Sequence, residues 1–426
     1  MARFDSLSGW LTWQEGFHPR SIDLGLKRAS CVFDSLNPKG IKPATIIVAG
    51  TNGKGSSIAF LEAIYRAQGY RVGAYSSPHI LTYNERIRID GEAVNDSTIC
   101  QAFERIDNVR NDVSLSYFEF GTLAALDIFW RSELDIQLLE VGLGGRLDAV
   151  NIIDADVALV TSISIDHVDW LGETRDAIGF EKAGIFRKNV PAVIGDTNPP
   201  ESLLNCATEK NSPLLCINKE FNFKVKENEW DWSCAGDKQR EYIALPRPAL
   251  KGLHQFQNAA SALMAMVEME DLLPITEVAI HKGLVSVKLK GRFQLIDGKI
   301  PVLLDVAHNP QAVRALLEYL KNKFFNKKIH AVFSMMKDKD ITSVINIIKP
   351  MIKYWFVAPL NTPRAASELI MKERFGECGL ENVVFGHKNF SEAYQAAVKQ
   401  AEEGDLILVF GSFFLVSEYL ANTENI

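Results

Sequence analysis

"ATIIVAGTNGKGSS", residues 44–57, decides how the rest of the chain is read. Its first half is a short apolar run rich in β-branched residues and closed by a glycine, the pattern of a buried strand. Its second half holds two more glycines, a lysine and two serines, and "IAFLEAIYRAQGY" follows with helical spacing of apolar residues. Strand, glycine turn and helix in that order make a phosphate-binding element. Gly50, Gly53 and Gly55 let backbone N–H groups approach phosphate oxygens at the positive end of the helix. Lys54 adds a point charge, and Ser56 a hydroxyl for a phosphate or a metal ion. The spacing departs from the common G-x-x-x-x-G-K-[ST] loop, because only two residues separate Gly50 from Gly53 and Gly55 stands between Lys54 and Ser56. A plain strand-to-helix turn is the alternative reading.

Three further runs, "RVGAYSS" (71–77), "DIQLLEVG" (135–142) and "DVALVTSIS" (156–164), are apolar on both faces and alternate with helical patterns. They predict a mostly parallel sheet covered by helices. In such sheets ligands bind beyond the carboxyl ends of the strands. There the chain carries Thr51 to Ser56, Ser77, Glu140 with "GLGGRLDA", and Asp166-His167. Glu140 reads as a metal ligand or as a salt-bridge partner of Arg146. His167 reads as a ligand or as an ordinary hydrogen-bonded histidine, and Ser77 as a ligand or a turn residue before Pro78. Lys182 in "FEKAGIFRK" reads by itself as a solvated helix lysine. Asn258 reads as a helix cap and Arg292 as a partner for a surface acid. Asp305 and His308 in "DVAHNP" follow another buried strand, and there an Asx-turn before Pro310 is the alternative.

Residues 199–250 predict a peripheral β-rich section, and after "VKLKGRFQLIDGKI" (287–300) a fresh α/β series begins. The expected organisation is residues 1–286, a linker at 287–298, and a smaller Rossmann-like α/β domain at 299–426. With 426 residues, 47% hydrophobic and 23% charged, the chain is globular and too long for one domain. A net charge of −7 excludes a broad basic face for nucleic acid. Cys31, Cys100, Cys206, Cys216, Cys234 and Cys378 show no metal-type spacing, as expected of thiols in a reducing compartment. No signal-type segment opens the chain, and no run approaches the roughly 18 apolar residues of a membrane span. A soluble cytoplasmic protein without nucleic-acid or membrane partners is expected.

Taken in order, "AGTNGKGSS", "YSSPHI", "EVGLGGRLDAVN", "SIDHVDWLG", "FEKAGIFR", "LKGLHQFQNAASAL", "GRFQ" and "DVAHNP" resemble the folylpolyglutamate synthase family of the Mur ligase superfamily over residues 20–415. "DVAHNP" and "SYFEF" are most similar to its bacterial branch with two activities. The resemblance implies an N-terminal P-loop ATPase domain and a Rossmann-like C-terminal domain, in an ATP-dependent amide ligase that is a monomer. Its substrates would be ATP, L-glutamate, dihydropteroate and reduced folates. Thr51, Asn52, Gly53, Lys54, Gly55, Ser56, Asn258, Arg292 and Asp305 would contact ATP, with His308 close by as a catalytic residue beside Lys54 and Lys182. Ser77, Glu140 and His167 would hold Mg²⁺. Lys182 would be carbamylated and face a second Mg²⁺, and a monovalent cation such as K⁺ belongs to the same expectation. The pterin would lie on Ile22, Asp23, Leu24 and Gly25, on Ser116, Tyr117, Phe118 and Glu119, and on Leu147, Asp148 and Ala149.

The implied reaction runs through an acyl phosphate that the amine of glutamate then opens, inside domains closed against water. Two positions depart from the family pattern: Ser56 and Leu415 stand where threonine is usual. Two competing readings are a Mur-type ligase with another carboxylate acceptor and a non-catalytic nucleotide-binding module. The "SYFE" and "LDA" segments speak against the first, and Lys54, Glu140, His167 and Lys182 against the second.

Overall fold

The computed structural model describes residues 3–20, 22–38 and 42–423. The chain divides into two compact units. One runs to Ala249 and takes in Phe256–Val287; the other comprises Leu250–Gln255 and continues from Lys288. Among the described residues no helix is long and apolar enough to cross a membrane.

The first unit is built on β1 (Ala44–Ala49), β2 (Val72–Tyr75), β3 (Ile87–Ile89), β4 (Glu92–Ala93), β5 (Ile136–Glu140), β6 (Val157–Val160), β7 (Ala192–Ile194) and β8 (Leu214–Cys216). Their order across the sheet is β4-β3-β2-β5-β1-β6-β7-β8. Pairing is parallel except for β2 with β3 and β3 with β4. All five residues of β5 and all four of β6 are buried, which is why neither shows polar alternation. Register matters more than order here. Val48 pairs with Glu140, and Ala49 with Val160. Chain departure is therefore level: Val141 N–H donates to Val48 and Thr161 N–H to Ala49, both at 2.9 Å. Since Tyr75 pairs with Leu139, Ser76 leaves the sheet beside Glu140.

The helix Lys54–Gln68 lies against β2 and β5, and the helix Glu277–Ser286 packs on it. Ser116 opens the helix Tyr117–Arg131 through a capping box, its hydroxyl accepting from Glu119 N–H while the Glu119 carboxylate accepts from Ser116 N–H. The β-rich section is a three-stranded antiparallel sheet of β9 (Phe221–Val225), β10 (Glu229–Cys234) and β11 (Arg240–Pro246). Trp232 is buried there and donates its indole N–H to the Ala260 carbonyl at 3.1 Å.

The second unit carries β12 (Gln294–Ile296), β13 (Val302–Asp305), β14 (Ile329–Phe333), β15 (Ile352–Val357), β16 (Val383–Val384) and β17 (Leu406–Phe410). They run β12-β13-β17-β14-β15-β16, parallel but for β12 with β13. Within the stretch expected as linker, Gln294–Ile296 thus forms an edge strand of this sheet. Asn309 caps the helix Pro310–Phe324 with proline at its first position, so "HNP" is a helix start.

Gly283 tests the helix contact. A Cβ there would stand 2.5 Å from Ile64 Cγ1 and 2.7 Å from Ile64 Cα, and the backbone atom cannot yield cheaply. Gly283→Ala is expected to destabilise the protein by about 1–2 kcal/mol, overpacking outweighing the helix propensity gained. Urea unfolding measures it; an unchanged or raised midpoint would show that the two helices separate freely.

Candidate active site

Gly50 ends β1 at φ +146°, and a Cβ on it would fall 1.8 Å from Thr161 Oγ1. The loop therefore closes onto the segment after β6. Thr51 N–H donates to Ser162 at 2.7 Å, Ser164 N–H donates to Thr51 Oγ1 at 3.0 Å, and Thr161 Oγ1 donates to the Asn52 carbonyl at 2.7 Å. Gly53 caps the helix that begins at Lys54 in left-handed conformation. Ser56 is buried in its first turn. Asn258 is buried with its side-chain oxygen against Gly53, so the first unit brings it to the phosphate loop.

Two lysines meet at one acceptor. Lys54 Nζ and Lys182 Nζ each donate to the Gly50 carbonyl at 3.0 Å. Lys182 is not a solvated helix lysine: it is buried, and burial together with the charge of Lys54 pulls its pKa down to about 7. A web of backbone bonds sets it there. Arg146 N–H donates to Glu181 at 2.7 Å, and Asn151 Nδ2 donates to the carbonyls of both Arg146 and Gly184.

Glu140 is buried at the end of β5, and its Oε2 accepts from Ser77 N–H at 3.2 Å. Arg146, its alternative partner, is paired with Glu181 at 2.8 Å. His167 has φ +53°, opens the short helix Val168–Leu171 and is about one-third exposed, with Nε2 4.0 Å from Asp166 Oδ2.

The three segments expected to hold a pterin converge. Gly25 N–H donates to the Leu147 carbonyl at 3.0 Å. Arg28 reaches Asp23 Oδ2 at 2.9 Å and Glu119 Oε1 at 3.1 Å, tying the first segment to the second. Phe118 packs on Gly142 just before the third, and Tyr117 stands edge-on to Tyr83. Ile22 and Leu24 are half-buried, and Ala149 begins a short 3₁₀ turn capped by Asp148. Asp148 accepts from Leu143 and Val150 N–H; burial raises its pKa to about 6 against those bonds and the Lys54 charge.

In the second unit Asp305 is buried, accepting from Phe293 N–H at 3.1 Å and Ala307 N–H at 2.8 Å. The Asx-turn is thus real, and it also fastens the Gly291-Arg292-Phe293 segment to β13. The Arg292 guanidinium stands 5.2 Å over the Phe413 ring, at the carboxyl end of the neighbouring strand β17. His308 Nδ1 donates to the Val306 carbonyl at 2.9 Å, which makes Nε2 the acceptor of the neutral ring. His254 lies edge-on to Phe293 at 5.1 Å, its pKa lowered to about 4 by burial and then by Arg292.

Each unit matches a known family. Residues 48–266 match the Mur ligase middle domain, and residues 291–413 the Mur ligase glutamate ligase domain. The dihydrofolate synthase/folylpolyglutamate synthase of Escherichia coli is 41% identical over 414 residues, 97% of this chain and 94% of that protein.

The chain belongs to the Mur ligase family.

Within it, the Bacillus subtilis dihydrofolate synthase/folylpolyglutamate synthase is 30% identical, covering 96% of each chain. The structure of E. coli FolC in complex with DHPP and ADP superimposes with a TM-score of 0.93 at 40% identity, covering 99% of this chain and 98% of that one. A bifunctional folylpolyglutamate synthase/dihydrofolate synthase with Mn, AMPPNP and L-glutamate bound gives 0.90 at 40% identity and the same coverage.

For a Mur ligase the donor set suits a divalent cation. Ser77 and Glu140 offer hard oxygen atoms beside a helix N-terminus. Among the described residues no group of three or more His, Cys, Asp or Glu side chains could hold a metal ion. Two or three protein ligands with phosphate and water to complete the shell is the usual arrangement for Mg²⁺. Arg28, Asn151 and Phe413 escaped sequence reasoning. Arg28 carries one detectable signal, a cation one turn beyond "IDLG"; the other two act through contacts between distant segments.

Asp305 is expected to leave a mark on stability. Burial lifts its pKa from 3.8 to about 6, more than the Arg292 charge and two backbone donors lower it. The folded state then binds the proton more tightly, so stability is full below about pH 4 and declines as pH rises to about 6, by on the order of 2–3 kcal/mol. Urea midpoints measured across pH 4–7 should show a shallower decline in Asp305→Asn; parallel curves would assign the slope to other groups.

Proposed function

We propose that this chain is an ATP-dependent ligase that joins L-glutamate to two acceptors, the carboxylate of 7,8-dihydropteroate and the γ-carboxylate of a reduced folate, working as a cytoplasmic monomer. The observation that carries the reading is the meeting of Lys54 and Lys182 at the Gly50 carbonyl, within a crevice where the carboxyl ends of β1, β2, β5 and β6 lie level. Relatives of the same domain content, some with ADP, AMPPNP, Mn or L-glutamate bound, support it. Six free thiols fit a reducing compartment.

A carboxylate is a poor acyl donor, so its oxygen first attacks the γ-phosphorus of ATP, expelling ADP and leaving an acyl phosphate. The amine of glutamate then attacks the acyl carbon, phosphate departs, and the amine proton goes to a base. Lys54, with the N–H groups of residues 53–56 at the start of its helix, offsets phosphate charge as it builds. Ser77, Glu140 and His167 would hold Mg²⁺, which would offset the phosphate charge that repels the incoming carboxylate. Arg292, Asp305 and Asn258 orient the nucleotide, and His308 with Nε2 as acceptor is suited to receive the proton. Ile22–Gly25, Ser116–Glu119 and Leu147–Ala149 seat the pterin.

Lys182 is assigned a carbamate. Its amine is substantially neutral near pH 7. Addition of the neutral amine's lone pair to CO₂ forms an N–C bond, opens one C=O π bond and releases one proton, leaving a carboxylate where the amine stood. That carboxylate would face the second Mg²⁺, with K⁺ as an accessory cation. Protein equilibrated with ¹³C-bicarbonate is expected to show a carbamate carbon by NMR that is missing from Lys182→Ala; a spectrum without it retires the assignment.

ADP release should require glutamate together with either dihydropteroate or tetrahydrofolate, and Lys54→Ala should lower its rate by at least ~10²-fold, as expected for losing a phosphate-stabilising cation. No turnover with dihydropteroate would remove the synthase half, and full activity of the variant would remove the crevice from catalysis.

A further inference from the structure

We infer that Glu62 and Arg88 are positioning residues that hold the Ser76–Ser77 turn against Glu140, and so set the affinity for the metal–nucleotide complex. The inference rests on reading Ser77 and Glu140 as the metal-facing pair. Glu62 lies on the helix Lys54–Gln68, two turns beyond the phosphate loop, and Arg88 on β3. Arg88 Nη2 stands 2.9 Å from Glu62 Oε2, and Nε lies 3.2 Å from the same oxygen. The side chains are only 9% (Glu62) and 18% (Arg88) exposed. The remaining nitrogen of the guanidinium, Nη1, donates to Ser76 Oγ at 2.8 Å and to the Glu85 carbonyl at 2.9 Å. Ser76 N–H meanwhile donates to the Arg86 carbonyl at 2.9 Å.

The next residue, Ser77, gives its N–H to Glu140. The far arm of the turn is pinned as well, because the Glu85 carboxylate accepts from the N–H groups of Ile80, Leu81 and Thr82. One unbroken path therefore runs from the phosphate-loop helix through Glu62, Arg88 and Ser76 to Ser77 and Glu140.

Stability does not account for this pair. Taking two charges out of water costs several kcal/mol each, and apolar replacements of similar volume are commonly neutral or stabilising. What an apolar pair cannot do is donate to Ser76 while held at a fixed angle by Glu62. A planar guanidinium with donors on several edges does both at once, and lysine does not.

The test separates position from stability. Mn²⁺ binding to the protein with ADP, and no folate or glutamate, is followed by loss of the free-ion EPR signal, alongside thermal unfolding. Glu62→Leu/Arg88→Met is expected to keep the parental melting temperature or exceed it, yet bind Mn²⁺ about 10–100-fold more weakly, the range for losing an outer partner of a metal ligand. Arg88→Lys should weaken Mn²⁺ similarly. Ser76→Ala, which deletes one hydroxyl and leaves the ion pair intact, should weaken it several-fold and guards against misfolding of the double variant. Parental Mn²⁺ affinity in Ser76→Ala, or in a folded double variant, overturns the inference. A parent that fails to bind Mn²⁺ and ADP at all would instead strike the ligase reading.

Discussion

The carbonyl of Gly50 accepts from two lysine side chains, Lys54 four residues on and Lys182 in a distant segment. Everything else in the first unit can be understood as making that meeting possible. Two like charges near one another out of water are unfavourable unless one gives way, and here Lys182 does, with a pKa near 7. The pair demands a strand end without a side chain in the way, a helix starting at Lys54, and a second backbone that brings Lys182 in. Gly50 meets the first demand, and the Gly53 cap the second. Bonds among residues 146, 151, 181 and 184 meet the third.

Sheet register extends the same constraint sideways. Because β1, β5 and β6 end level, the loops that follow share one edge without any long excursion of chain. Buried carboxylates in both units serve two purposes. Asp148, Glu119 and Asp305 each accept backbone N–H groups that shape a loop, and each lies in a segment proposed to contact a substrate. Burial raises the pKa of Asp148 and Asp305, which leaves both carboxylates dependent on those donors and on a nearby cation, Lys54 or Arg292.

Much of this was legible in the residues themselves. Continuous apolar runs marked β1, β2, β5 and β6 as buried parallel strands, and the glycine spacing with Lys54 marked a phosphate loop. The separate sheet at Phe221–Pro246 followed from the alternation there, whereas the rest of the stretch expected to be β-rich holds the helix Glu201–Glu209 and β8 of the main sheet. Other features were hidden. Lys182 read alone as a surface lysine, since nothing local distinguishes it; its burial depends on a loop some 130 positions earlier in the chain. Gln294–Ile296 read as linker because three residues are too few to show a period, and the Asp297-Gly298 turn after them was the one local sign of a hairpin. Arg28 looked like any helix cation until Asp23 and Glu119 were found on either side of it.

By itself, then, the sequence determined element type, the order of the strand-end motifs and the kind of chemistry they permit, because apolar period and glycine placement are local properties. Only the tertiary structure decided which groups face one another. Register placed Ser76 beside Glu140, long-range backbone bonds brought Lys182 to Gly50, and a buried Glu62–Arg88 pair joined the phosphate-loop helix to the Ser76–Ser77 turn. Those outcomes turn on hydrogen bonds and desolvation between residues far apart in the chain, which no local pattern encodes.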